Sequence, residues 1–187
     1  MARVVMADDR DPPVASQGIE LTLMLLADFR DPSEAARWVA TDDVVMGGQS
    51  SSALLAGDGV GIFAGELSLA RGGGFASVRR RGKVVDLSAC EAIDLDVRGD
   101  GKRYKLNLRT SDDLDGVVYQ AAFETQPGTW RTVELPLAGF APRFRGRPAS
   151  RKLERAHVSS LGLVIADRQA GPFRLELSSI AGSLRRA

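Results

Sequence analysis

Apolar and polar side chains alternate with a period of two through most of the chain. Ile93, Leu95 and Val97 alternate with Asp94, Asp96 and Arg98, and Tyr104, Leu106 and Leu108 alternate with Lys105, Asn107 and Arg109. Successive side chains of a strand point to opposite faces, so this period marks half-buried strands. Gly99-Asp100-Gly101-Lys102 lies between the two runs and has the chemistry of a turn. An antiparallel hairpin closed by that turn sets Leu95 opposite Leu106 and Asp96 opposite Lys105. Further strands are predicted over residues 19–29, 61–69, 75–80, 117–125, 130–135, 161–166 and 173–180, with Gly, Pro, Asp and Ser in most of the gaps. One short N-terminal helix is expected from Asp31 as N-cap, Pro32 at the first position and Glu34 three residues after the cap, ending near Trp38 or Val39. Many short strands and one helical segment make an all-β sandwich or jelly roll. The longest stretch expected to be irregular runs from Gly139 to Arg155.

The chain has 187 residues, enough for one domain with its own core. The expected organisation is a disordered tail over residues 1–17, one β-sandwich over 18–184 and a basic tail over 185–187. The formal net charge is +1, so a charge-driven partner must meet a local patch rather than a global field. No basic, apolar-centred leader, transit-peptide pattern or bilayer-length apolar run is present, and the chain reads as cytoplasmic with no transmembrane segment.

Most catalytic and cofactor patterns fail on inspection. Gly59-Val60-Gly61-Ile62-Phe63-Ala64 has dinucleotide-loop spacing but runs into a strand pattern instead of a helix. Ser111-Asp112-Asp113-Leu114-Asp115-Gly116 opens like a calcium loop, yet its twelfth position is Ala122, not glutamate. One cysteine, Cys90, and one histidine, His157, are too few for a nitrogen- or sulfur-rich zinc site. Cys90 reads as a buried inert thiol. His157 has no nucleophile-elbow serine to serve. No cofactor, metal or catalytic residue is assigned.

Two basic clusters stand out: Arg79-Arg80-Arg81 with Lys83, and Arg143, Arg145, Arg147, Arg151, Lys152 and Arg155 in the long loop. Each reads either as a solvated edge or as a surface for an anionic partner. Nucleic acid is disfavoured, because few aromatics interleave with the arginines. Polar contacts to a small ligand or carbohydrate would come from Asn107, Arg109, Tyr119 and Gln120, if their strand face is concave.

Three segments carry a family resemblance. The first is Trp38 followed by Asp42-Asp43-Val44-Val45-Met46-Gly47-Gly48-Gln49-Ser50. The second is Phe63-Ala64-Gly65 followed by Gly73-Gly74-Phe75-Ala76-Ser77-Val78-Arg79. The third runs from Arg98-Gly99-Asp100-Gly101 through Tyr104, Tyr119-Gln120, Phe123, Trp130 and Pro136 to Phe144-Arg145-Gly146. In this order and spacing they resemble the complex I intermediate-associated protein 30 family over about residues 28–182, in a chain whose Ala-, Gly- and Arg-rich composition looks bacterial. The resemblance implies a galactose-binding-domain-like jelly-roll β-sandwich and a non-enzymatic binding module. Its partner would be a protein, respiratory-complex subunits included. The alternative is a carbohydrate or small anionic ligand.

Within the motifs, Trp38, Phe63, Phe75, Tyr104, Phe123 and Trp130 read as core. Asp42 and Ser50 read as caps on loop amides. Arg79, Asp100 and Arg145 suit either a ligand or an Arg–Asp pair bracing loops. Asp42, Ser50, Arg79, Asp100, Arg109, Tyr119, Gln120, Arg143, Arg145 and Arg147 are therefore the candidate binding residues.

Overall fold

The computed structural model describes residues 23–82, 84–111 and 116–184. The expected tails over 1–17 and 185–187, the first residues of the 19–29 strand, Lys83 and most of the calcium-like stretch lie outside the described residues. Thirteen strands are present among those described: β1 (Leu23–Asp28), β2 (Trp38–Ala40), β3 (Ser51–Gly57), β4 (Val60–Leu67), β5 (Ala76–Arg80), β6 (Cys90–Arg98), β7 (Arg103–Arg109), β8 (Val118–Glu124), β9 (Trp130–Pro136), β10 (Ala141–Phe144), β11 (Arg147–Pro148), β12 (Ser160–Ile165) and β13 (Gly171–Leu184). They form two sheets. The six-stranded sheet runs β3-β4-β13-β6-β9, with β1 also on β13, and the seven-stranded sheet runs β11-β10-β8-β7-β12-β5-β2.

The core lies between the sheets. Ile93, Leu95 and Val97 of β6 and Phe173, Leu175 and Leu177 of β13 enter it from one side. Tyr104, Leu106 and Leu108 of β7 and Leu161, Leu163 and Ile165 of β12 enter it from the other. Four rings join the layers: Phe63 lies 5.0 Å from Phe173 and 6.4 Å from Tyr104, which stacks on Phe123 at 6.1 Å. Edge-to-face and offset contacts of this kind each contribute roughly 0.5–1.5 kcal/mol beyond their buried area.

Several expectations change. Strands β6 and β7 alternate as predicted, but they are not a hairpin. β6 pairs with β13 and β9, and β7 pairs with β12 and β8, so 99–102 crosses from one sheet to the other. Leu95 and Leu106 both reach the core, from opposing layers. Asp96 accepts a hydrogen bond from Thr132 at 2.5 Å, and Lys105 pairs with Asp167 at 2.6 Å. The N-terminal helix forms as a single 3-10 turn, Ala35–Arg37, and Trp38 already begins β2. Asp31 holds the Ser33 amide and hydroxyl in a local turn instead of capping a helix. The 139–155 stretch is not wholly irregular, because β10 and β11 make a small hairpin that extends the seven-stranded sheet past β8. Trp130 lies outside the core, 41% exposed, with the Arg98 guanidinium 5.2 Å from its ring centre. Its β9 position faces outward because Leu135, on the other parity, takes the inward face.

Candidate functional site

The most specific sequence motifs converge on a buried carboxylate, Asp43, which is 1% exposed. Asp43 accepts from the Ser50 amide at 2.9 Å, the Ser50 hydroxyl at 2.6 Å, the Gly74 amide at 2.7 Å and the Phe75 amide at 3.3 Å. Asp42 beside it accepts from the Ser52 amide and hydroxyl at 2.8 and 2.6 Å and from the Ser77 amide at 2.9 Å. The two acids clip the Asp-Asp-…-Gly-Gly-Gln-Ser loop to the Gly-Gly-Phe-Ala-Ser segment. Gly48 is needed because a Cβ there would sit 2.3 Å from the Asp43 carboxylate. Burial pushes the Asp43 carboxyl up, but the Ser50 hydroxyl and the Gly74, Ser50 and Phe75 amides outweigh it, so its pKa lies below the ordinary value. Ser50 is fully buried and also accepts from the Ser68 amide at 3.0 Å. These residues clip two loops of the fold together.

Other polar motif positions are braces as well. Asp100 accepts from the Tyr104 hydroxyl at 3.0 Å and from the Arg174 amide at 2.9 Å. Burial, then Asp100, raises the Tyr104 phenol far above its ordinary range. Glu34, 2% exposed, forms a buried ion pair with Arg80, whose Nε and Nη2 lie 2.6 and 2.9 Å from the carboxylate, and Trp38 Nε1 donates to the same group at 3.0 Å.

The remaining candidates sort by strand parity. Tyr119 faces the core, and its hydroxyl donates to the Lys152 carbonyl at 2.8 Å. Arg79, Arg109, Gln120 and Arg143 come together on the outer face of the seven-stranded sheet. Directly paired residues share a face, which gives two adjacent rows: Arg79, Gly162, Asn107, Gln120 and Ala141, then Ser160, Arg109, Val118 and Arg143. Arg145 and Arg147 sit at the tip of the β10–β11 hairpin, where Arg145 adopts a left-handed φ of 47° and lies 5.5 Å from the Phe144 ring centre.

Two hollows mark this face. A depression of ≈ 60 Å³ lies over β5, β12 and β7, lined by Arg79, Asn107, Arg109 and Ser160 among others. A groove of ≈ 410 Å³ lies over β7, β8 and β10, lined by Arg103, Lys105, Gln120 and Arg143, with Asp167 the one acid among the described residues. Lys105 and Arg103 were missing from the sequence candidates, although their parity with Asn107 and Arg109 already put them on this face. No cluster of three or more potential metal ligands occurs among the described residues, nor does any described helix have the length and apolarity to cross a membrane.

The Drosophila melanogaster mitochondrial complex I intermediate-associated protein 30 is 26% identical over 82% of this chain and 60% of its own length. The Mus musculus protein of that name is 27% identical over 81% of this chain and 53% of its own. The chain thus spans a little over half the length of these curated relatives. Among solved structures, a family 11 carbohydrate-binding module from Clostridium thermocellum, in complex with a β-1,3-1,4-mixed-linked tetrasaccharide, superposes with a TM-score of 0.64. That match has 17% identity over 88% of this chain and 98% of the module. The fold is accordingly a galactose-binding-like jelly-roll β-sandwich. The family model for complex I intermediate-associated protein 30 matches residues 27–177, from β1 into β13, and the chain belongs to that family.

Proposed function

We propose that this chain is a non-enzymatic binding module that takes part in assembling respiratory complex I, docking a protein partner on the outer face of its seven-stranded sheet. The carrying observation is the family match over residues 27–177, which includes both sheets. The electrostatics support the location. Among the described residues, Arg103, Lys105 and Arg143 face one acid, Asp167, in the groove, so a chain with net charge near zero presents a basic patch there. Such a patch steers and orients an acidic partner surface. The buried carboxylates Asp43, Glu34 and Glu176 are all engaged by amides, hydroxyls or arginines of the fold. The reading places this work in the cytoplasm, in keeping with a lone buried Cys90, whereas the curated relatives carry a mitochondrial label.

A carbohydrate ligand is the second reading, favoured by the likeness to a module solved with a tetrasaccharide. No aromatic side chain lines the groove, and an aromatic platform is a usual part of such a site.

The test is a tagged pull-down from the native cell, read by mass spectrometry, with an Arg103→Glu, Arg143→Glu variant beside wild type. Complex I subunits should be enriched by wild type and lost in a variant whose circular dichroism is unchanged. Equal enrichment by both would move the interface elsewhere, and no subunit from either would overturn the assembly reading.

A further inference from the structure

Gly162 is the one glycine of β12, a strand in the interior of the seven-stranded sheet. Its φ lies outside the left-handed region, so the backbone does not demand glycine. A Cβ there would meet the Val78 carbonyl oxygen at 3.2 Å and Asn107 Cβ at 3.6 Å, a tight but accommodable fit. Glycine inside a strand is destabilising relative to alanine, and such a position often marks close approach by a ligand. Here the missing side chain leaves bare the floor of the ≈ 60 Å³ depression.

The walls of that depression have a definite chemistry. Arg79 stands on one side of Gly162 and Asn107 on the other, in one cross-strand row, with Arg109 and Ser160 in the next. Arg79 Nε donates to Ser160 Oγ at 3.0 Å. A guanidinium carries five N–H donors, so it can hold Ser160 and address a ligand together. Two guanidinium groups favour a planar anion, a carboxylate above all. Asn107 adds the opposite requirement. Its Oδ1 is buried and accepts no hydrogen bond, one of three such side-chain atoms among the described residues. A buried unpaired acceptor of this kind is destabilising, and a carboxylate alone brings it no donor. A hydroxyl next to the carboxylate does. The depression is far smaller than the ≈ 410 Å³ groove beside it, which suits it to the acid end of a molecule rather than to a whole sugar ring.

We propose that the depression over Gly162 binds a hydroxycarboxylate, with the carboxylate between Arg79 and Arg109 and the neighbouring hydroxyl donating to Asn107 Oδ1. The rest of a larger ligand runs along the row toward Gln120. The ligand is either a small free hydroxy acid or the sugar-acid residue of a glycan, whose nearest hydroxyl lies one carbon further from the carboxylate. This site stands on β5, β12 and β7 and does not depend on protein docking in the neighbouring groove.

Matched probes test it by titration into the full chain, followed in 1H–15N spectra at the backbone amides of residues 107 and 162, which both variants keep. Lactate and propionate differ by one hydroxyl, and glucuronate and glucose by one carboxylate. Saturable binding of lactate, of glucuronate or of both is expected. Propionate, glucose and inorganic phosphate should bind at least ten-fold more weakly. Lactate alone would indicate the free acid, and glucuronate alone the glycan residue. Gly162→Ala, which fills the floor, and Asn107→Leu, which removes the acceptor, should each weaken binding at least ten-fold at unchanged circular dichroism. The proposal is overturned if neither hydroxy acid binds, if propionate or phosphate matches lactate, if glucose matches glucuronate, or if both folded variants bind like wild type.

Discussion

Replacing Asp43 by alanine removes the acceptor on which two loops meet, and the cost can be worked from its contacts. The Ser50 and Gly74 amides, at 2.9 and 2.7 Å, lose a charged partner inside the protein, and the more distant Phe75 amide loses one at 3.3 Å. A buried donor left unpaired costs about 1–3 kcal/mol. The Ser50 hydroxyl also reaches the Ser68 carbonyl at 3.3 Å, so its loss is partly made good. The expected destabilisation is about 3–5 kcal/mol, a large part of the roughly 5–15 kcal/mol typical of a domain. At about 2–4 °C per kcal/mol for a chain of this size, Tm should fall by roughly 6–20 °C. The assay is urea denaturation followed by circular dichroism, repeated across pH. The folded pKa of Asp43 lies below its ordinary value. Its stabilisation is therefore present above the unfolded pKa of about 3.9 and is lost as pH falls through the folded value. The gap between wild type and Asp43→Ala should narrow below about pH 4. A variant within about 1 kcal/mol of wild type at neutral pH that nonetheless loses partner binding would refute the bracing role and make the motif a recognition site.

Glu34→Ala should cost about 3–5 kcal/mol in the same denaturation assay, because it strands Arg80 and the Trp38 indole beside an emptied buried site. Asp94→Asn should raise the urea midpoint at neutral pH, since burial, then Glu134 and Asp96, push the Asp94 carboxyl up and its charged form opposes folding. That gain should shrink as pH falls toward the unfolded value of about 3.9, where wild type is protonated as well. Cys90, buried and with its thiol pushed up by burial, then by Asp86, should react with a thiol reagent only as fast as the protein unfolds.

Much of the sandwich was legible because alternation reports burial directly. The inward sets Ile93-Leu95-Val97 and Tyr104-Leu106-Leu108 are both fully buried, as their period requires. Pairing was not legible from the same signal. Two adjacent alternating strands joined by a glycine turn fit a hairpin and a crossing between sheets equally well, and the Asp96–Lys105 match carried no information about which forms. The helix start at Asp31 misled in length because Asx turns and helix caps use the same residues, and Glu34 was engaged by Arg80 from β5. The binding face was half legible. Parity alone puts Lys105, Asn107 and Arg109 on one side of β7 and separates Gln120 from Tyr119. The neighbours Arg79 and Gly162 arrive only through β5 and β12, 28 residues before Asn107 and 55 residues after it in sequence. Asp43 was the hub that sequence reading passed over, since an Asp-Asp pair looks like an exposed turn until Gly48, Ser50 and Gly74 fold around it.

The most direct test of the central claim is site-specific photocrosslinking in the native cell. A crosslinking residue at Gln120, on the groove of the seven-stranded sheet, is compared with one at Leu55, 64% exposed on the six-stranded sheet. The account predicts a crosslink to a complex I subunit from position 120 and none from position 55. A crosslink from position 55 alone would contradict it and put the interface on the opposite sheet.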